Sequence, residues 1–312
     1  MANTTASAFQ SAITFSVQEK VLQNLRNDLL WANPAWAEQG RFDPVSDTLM
    51  FLSFPDLSST TPQTPLTEGS APTARAITMN TVTVSTAQYG DLINITDLAK
   101  VKGPSDVVGI AAERASRTAK EVMDTISRDN LFLGGTPYYQ IGDTTRAGLA
   151  TTDLLLAADL IKLRARMKAA DIPVPSDGYY RLIISVNQAY DLISETTANQ
   201  AFVNISQYTN RIDQVFKGEI GTLHGFRVIE SDTAPTFSST ATVYGGIALG
   251  DVKGWGAGEL QSLQTYHVAP GGNHSDPLAQ LEQVGWKVNF GVATLNNGYY
   301  FRVETAATSL TS

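Results

Sequence analysis

"GEIGTLHGFRVIESDTAP", residues 218–235, carries the ingredients of a catalytic loop and of a simple strand turn alike. Glycines at 221 and 225 bracket Thr222-Leu223-His224, a β-type run follows, and Ser231-Asp232 precedes a proline. A hydrolase would want Ser231 as nucleophile, His224 as base and Asp232 as its orienter. Ser231 and Asp232 are neighbours at the end of an extended run, so their side chains point to opposite sides, which such a triad does not tolerate. The glycines need no chemistry either, because turns alone require them. The stretch therefore reads as loop, strand and turn, with no catalytic residue.

The flanking sequence alternates short elements. Strands are expected over 179–186 (YYRLIISV), 225–231 and 243–251 (VYGGIALGD), and helices over 187–196 (NQAYDLISET) and near 199–216. Upstream, Thr151-Thr152-Asp153 opens a helix with Leu156, Leu160, Leu163 and Met167 on one stripe, ending at Ile172-Pro173. The clearest helix follows Gly103-Pro104-Ser105-Asp106. Val108, Ala111, Ala115, Ala119, Val122 and Ile126 recur on one side of it, and Gly134-Gly135 stops it. On its outer faces Glu113 with Arg117, Arg117 with Glu121, and Lys120 with Asp124 stand four apart, as surface ion pairs do. Residues 13–31 suggest a shorter amphipathic helix.

Residues 43–97 differ in texture, being rich in Thr, Ser and Pro. Two β-type runs, 48–54 and 77–84, enclose a stretch with neither helical nor strand period. The apolar parity shifts from Ile77 and Met79 to Val82 and Val84, which predicts a bulge or twist. A long two-stranded arm is the simplest reading. Such a hairpin is marginal alone and needs a surface to lie on. Near the other end Val284, Trp286, Val288 and Phe290 alternate as a strand, and Asn296-Asn297-Gly298 predicts a hairpin turn into a return over 299–304.

Composition limits function. Of 312 residues 43% are hydrophobic and 17% charged, there is no cysteine, and the net charge is −8. Nucleic-acid binders gain affinity by neutralising phosphates with Lys and Arg. Here the densest basic group, Lys162, Arg164, Arg166 and Lys168, reads as the solvated face of one helix. No apolar run is long enough for a membrane helix, and MANTTASAFQSAITF lacks the pattern of a signal peptide. The sequons at Asn94 and Asn204 carry no weight without a secretory route. Phosphate-loop, nucleophile-elbow and HExxH motifs are missing, so no cofactor is expected. Gly254-Trp255-Gly256-Ala257-Gly258 reads as a turn. His267, His274 and Asp276 surround "APGGNHSD" without any named metal spacing and read as a surface loop.

Three stretches, "LIISVNQAYDLI" (182–193), "GTLHGFRVIESDTAP" (221–235) and "YGGIALGD" (244–251), resemble the major capsid proteins of tailed double-stranded DNA bacteriophages. "DPLAQLEQVGWKVNFGVATLNNGYYFRVETAA" is similar to the podovirus-like branch. The resemblance implies an α+β fold divided into an N-terminal arm (1–42), an extended β-hairpin loop (43–100), a spine helix with peripheral domain (101–150), an apical α/β domain with peripheral-domain elements (151–270) and returning peripheral strands (271–312). It implies a non-enzymatic subunit of an icosahedral virion shell, assembled from hexamers and pentamers in a bacterial cytoplasm. Copies of itself would be the main partners, a scaffolding, cement or portal protein further ones, and packaged DNA a weak, non-specific contact. Arg75, Glu68 and Asp56 are the candidate inter-subunit contacts. No separate scaffolding segment is expected at the N-terminus. Some relatives join subunits through an isopeptide from a loop lysine, but residues 42–99 contain no lysine, and Arg75 is their one basic residue. Lys100 and Lys102 sit at the foot of the loop. An encapsulin-like nanocompartment shell is the alternative within the fold, and the hydrolase using Ser231, His224 and Asp232 is the rival from another class.

Overall fold

The computed structural model describes residues 30–32, 37–39, 41–42, 48–53, 68–69, 76–102, 107–140, 143–195, 219–251, 254–272 and 278–310. Two sheets and one long helix make the frame. The larger sheet contains β6 (Thr136–Tyr139), β7 (Tyr180–Ser185), β8 (Glu219–Leu223), β9 (Phe226–Ser231), β10 (Thr236–Ser238), β11 (Thr242–Leu249) and β14 (Tyr300–Ala306). Its order is β6-β14-β11-β7-β9-β8, with β10 paired to β11. The second sheet runs β1 (Glu38–Gln39), β12 (Trp255–Val268), β13 (Leu281–Thr294), β5 (Ala87–Thr96). A small third sheet runs β2 (Arg41–Phe42), β3 (Thr48–Ser53), β4 (Asn80–Ser85). The helices are α1 (Asp97–Lys102), α2 (Val107–Leu133), α3 (Ala157–Ala169) and α4 (Val186–Ser194). The chain is α+β, as its sequence predicts.

The run Leu182-Ile183-Ile184 explains the centre of the larger sheet. Strands covered on both faces need apolar residues at successive positions rather than alternate ones. Leu182 and Ile184 enter one core, with Leu160, Leu163 and Met167 of α3 and Leu192 of α4. Ile183 enters the other, with Ile229, Ile247 and the spine helix α2. β9 divides its side chains the same way, Val228 to one core and Ile229 to the other. The parallel pair β7–β9 is in register from Tyr180↔Phe226 to Ser185↔Ser231. At the end of β7, Ser185 caps α4: its hydroxyl accepts the Gln188 N–H while the Gln188 side chain takes the Ser185 N–H.

The spine helix α2 lies on the second sheet. Ala111, Ala112, Ala115, Ala119 and Met123 are buried against Val284, Trp286, Val288 and Phe290 of β13. Alanine on this face lets a helix of 27 residues approach the sheet closely.

Several expectations need correction. The helix expected from Thr151 begins at Ala157, because the Glu195 carboxylate accepts the Ala157 N–H at 2.8 Å and Asp159 accepts that of Leu156 at 3.1 Å. Residues 254–258 are not a turn but the start of β12, with Trp255 fully buried. Gly256 is glycine because Phe51 of β3 packs where its Cβ would stand. His267 is in strand β12 rather than a surface loop. Ile77 and Met79 precede β4 as exposed, irregular chain, so the parity shift marks the strand's start and no bulge. The turn at Asn296-Asn297-Gly298 exists, but its flanking strands do not pair: β13 stays with β12 and β5, while β14 crosses to β11 and β6. It is a corner between sheets. The long strand β5 was not expected as a separate element. The helices read over 13–31 and near 199–216 fall almost wholly outside the described residues, as do His274 and Asp276.

Candidate assembly interface

The opening stretch resolves into a β-hairpin. β8 and β9 pair from Leu223↔Phe226, leaving His224 and Gly225 as a two-residue loop. Both have positive φ, 48° and 88°, which is the type I′ geometry that matches strand twist. Ser231 lies at the far end of β9, about 20 Å from Gly225 of that turn at the usual rise per residue. Its hydroxyl is 3.0 Å from Thr233 Oγ1, which accepts the indole N–H of Trp31 at 3.0 Å. The Thr233 carbonyl accepts from Arg128 of the spine helix at 2.8 Å. So His224, Ser231 and Asp232 are not brought together. Burial lowers the His224 pKa, and Arg164 nearby lowers it further. The sequence "ESDT" works as a clasp holding the N-terminal segment to helix α2.

A second clasp was misread from sequence. Asp124, expected as an outward partner of Lys120, is buried, and its Oδ1 accepts the N–H groups of Leu30, Trp31 and Ala32 at 3.0, 2.7 and 3.1 Å. Burial raises its carboxyl pKa, against the pull of those three N–H groups and of Lys120. Helical spacing alone cannot separate this position from an exposed one. Its place beside Met123 and Ser127 on a buried flank is the signal that could have found it.

A third cluster stands where β5 turns into α1. Glu282 of β13 accepts from Lys100 of α1 and lies 2.6 Å from Nε2 of His267 on β12. Burial pushes the Glu282 carboxyl up, but Lys100 and His267 outweigh it and hold it below the ordinary carboxylate range. Lys100, expected at the foot of the loop, is thus committed to an ion pair that fixes that foot to the sheet.

Beyond these clasps lie surfaces suited to other molecules. β3 and β4 pair from Thr48↔Ser85 to Ser53↔Asn80, the expected two-stranded stem. Ile77 and Met79 beside it are 73% and 56% exposed. Among the described residues β5 pairs only with β13, and β4 only with β3, so each leaves one edge of backbone N–H and C=O groups open. Of the candidate contacts, Glu68 sits exposed in a turn with Gly69, whereas Asp56 and Arg75 fall outside the described residues. Among the described residues, no group of three or more His, Asp or Glu is placed to hold a metal ion.

A family model described as phage capsid protein matches residues 78–303. The chain belongs to the phage capsid protein family. That match spans β4 to β13, the spine helix, most of both cores and the first four residues of β14. Solved structures agree in fold. The capsid of Ralstonia phage GP4 superposes with a TM-score of 0.62 at 13% identity, covering 93% of this chain and 92% of that one. The capsid of cyanophage P-SCSP1u gives 0.64 at 15% identity, over 91% and 90%. A structure of Mycobacterium phage Che8 gives 0.56 at 15%, over 88% and 91%. No curated protein sequence matches the chain. A phage capsid protein is a structural shell subunit and a virion component, not an enzyme, and it works as an oligomer. The open edges and uncovered apolar residues are the features such a subunit needs.

Proposed function

We propose that this capsid protein closes into an icosahedral shell of hexamers and pentamers around a tailed-phage genome, assembled in the cytoplasm of a bacterial host. The observation that carries this reading is the pair Ile77 and Met79, apolar side chains left exposed just before strand β4 of the β3–β4 stem. Apolar side chains so placed are normally covered by a partner. Residues 43–100 form the loop laid across a neighbouring copy, 1–42 the arm, and 151–270 the apical domain. Arg75, Glu68 and Asp56 meet opposite charges of that neighbour. Heterologous contacts of this kind close into a shell or run on into tubes. The open edges of β4 and β5 admit strand addition from adjacent copies. A scaffolding, cement or portal protein attends assembly, and the acidic chain touches packaged DNA only weakly. Without a loop lysine the subunits are held non-covalently.

Negative-stain microscopy of the expressed chain tests the shell. Closed particles are expected, and a monodisperse monomer at high concentration would overturn the proposal. Boiled particles should run as one band near 33.5 kDa, and a covalent ladder would refute non-covalent closure. A cargo enzyme in place of DNA inside native particles would point to a nanocompartment instead.

A further inference from the structure

The outer face of helix α3 is built for a specific kind of contact. Between Lys162 and Lys168 the chain places four Lys or Arg and no carboxylate, within a protein of net charge −8. All four are exposed. At about 100° per residue, Ile161, Ala165 and Ala169 form one ridge at the solvent apex, opposite the buried Leu160, Leu163 and Met167. Lys162 and Arg166 run along one flank of that ridge, Arg164 and Lys168 along the other. Ile161 is 45% exposed. Two of the cations are braced. The Arg166 guanidinium stands 5.6 Å from the ring centroid of Tyr138 on β6, and Arg164 lies across Gly225, where a Cβ would come within 2.7 Å of its Nε. A face that serves only solvation carries its charges at the apex and mixes their signs. This one has an apolar, small-residue apex between two cationic rows.

We propose that this face docks an acidic amphipathic helix of a partner protein, its apolar side chains on the Ile161–Ala165 ridge and its carboxylates against both cation rows. Alanine at the apex permits the close axial approach of two packed helices. A nucleic-acid backbone would use the cations and leave the ridge idle. Among the described residues no helix of this chain supplies the complement. The exposed face of α2 mixes Glu113 and Glu121 with Arg114 and Arg117, and the exposed Val186, Tyr190 and Ile193 of α4 are accompanied by a buried Asp191. The two further helices expected from sequence, over 13–31 and near 199–216, carry no net charge (Glu19, Lys20, Arg26, Asp28; Arg211, Asp213), so an acidic occupant is assigned to a different protein. The inference rests on the reading that a second protein attends the shell, and its test reads binding on the chain alone, so its failure leaves shell closure untouched.

The test is fluorescence anisotropy on the purified, unassembled full-length chain. The probe is a helical peptide of about 18 residues, five turns, with leucines on one face flanked by glutamates. The controls are the same peptide with serine for leucine and a DNA duplex of about 20 base pairs. The leucine peptide should bind at least about tenfold more tightly than either control. Lys162→Glu with Lys168→Glu should weaken it by about tenfold or more, and so should Ala165→Glu alone, because one removes the charge rows and the other the ridge. Equal binding of the serine peptide or of DNA would overturn the proposal, leaving a plain cationic face. So would unchanged binding in the charge-reversed or ridge variants. If the charge-reversed variant fails to fold, Lys162→Ala with Lys168→Ala replaces it, and undiminished binding there is equally fatal.

Discussion

The Asp124 carboxylate accepts the backbone N–H of Trp31 at 2.7 Å across 93 residues of sequence. With the Leu30 and Ala32 bonds it collects three N–H groups into one buried oxygen. This is what fastens the N-terminal segment to the spine helix, with the indole of Trp31 bonded on its other side to Thr233.

Asp124→Ala should therefore cost several kcal/mol, since each buried N–H left unpaired costs about 1–3 kcal/mol. Asp124→Asn keeps an acceptor oxygen and should lose far less. Thermal melts of unassembled subunits would order the variants, with Ala well below Asn. Equal melting of the two would show that the carboxylate does not hold Trp31 as described.

Glu282 makes one part of stability depend on acid. Its folded pKa lies below its ordinary value of 4.5, so its contribution is complete above that value. The contribution fades as pH falls from about 4.5 through the folded value, where the unfolded chain takes up the proton first. Glu282→Gln should lower the melting temperature near neutrality and flatten its fall as pH drops below the ordinary carboxylate value of 4.5, relative to the parent. Scanning fluorimetry across that range would read it. Parallel acid limbs in parent and variant would count against this assignment.

Gly256→Ala should loosen the arm stem from the body. The new Cβ meets the ring of Phe51, which is buried, and overpacking of this kind costs about 1–3 kcal/mol. Phe51→Leu should restore part of the loss in the double variant. A double-mutant cycle on melting temperature tests the coupling, and additive effects would deny the contact.

The β8–β9 turn predicts a pattern opposite to that of a catalytic site. Gly225→Ala should destabilise by about 1–3 kcal/mol, because its φ of 88° strains any L side chain, and Arg164 would have to shift to admit the Cβ. His224→Asn should be tolerated, since Asn accepts positive φ readily. Shell yield, read by sedimentation, should fall for the first and hold for the second. A collapse of yield for His224→Asn with a normal melt would mean that the imidazole has a role beyond the turn.

Local chemistry made much of this protein legible. The turn glycine at 225, the run Leu182-Ile183-Ile184, and alanines every three or four residues along the spine helix are decided within one or two turns of chain. Their neighbours in sequence are also their neighbours in space. The strand runs of the stem, 48–53 and 80–85, are visible too, although Leu49 and Phe51 are buried against Gly291 of β13 and Gly256 of β12. The family resemblance was legible because those local signals occur in a fixed order.

What the sequence by itself determined, then, was the spine helix, the helices and strands around 182–193 and 225–249 and their succession, though not β5, β8 or β12, and with them the absence of a working triad in 218–235. Tertiary structure alone decided which elements meet. Asp124 reads as a surface ion-pair residue until Trp31 arrives from 93 residues away. Asn296-Asn297-Gly298 reads as a hairpin until β14 finds β11 and β6 in the other sheet. Gly254 to Gly258 read as a turn until Phe51 needs the space above Gly256. In each case the backbone preference permits two outcomes of similar energy. Burial against a distant partner, worth more than the local preference, selects one.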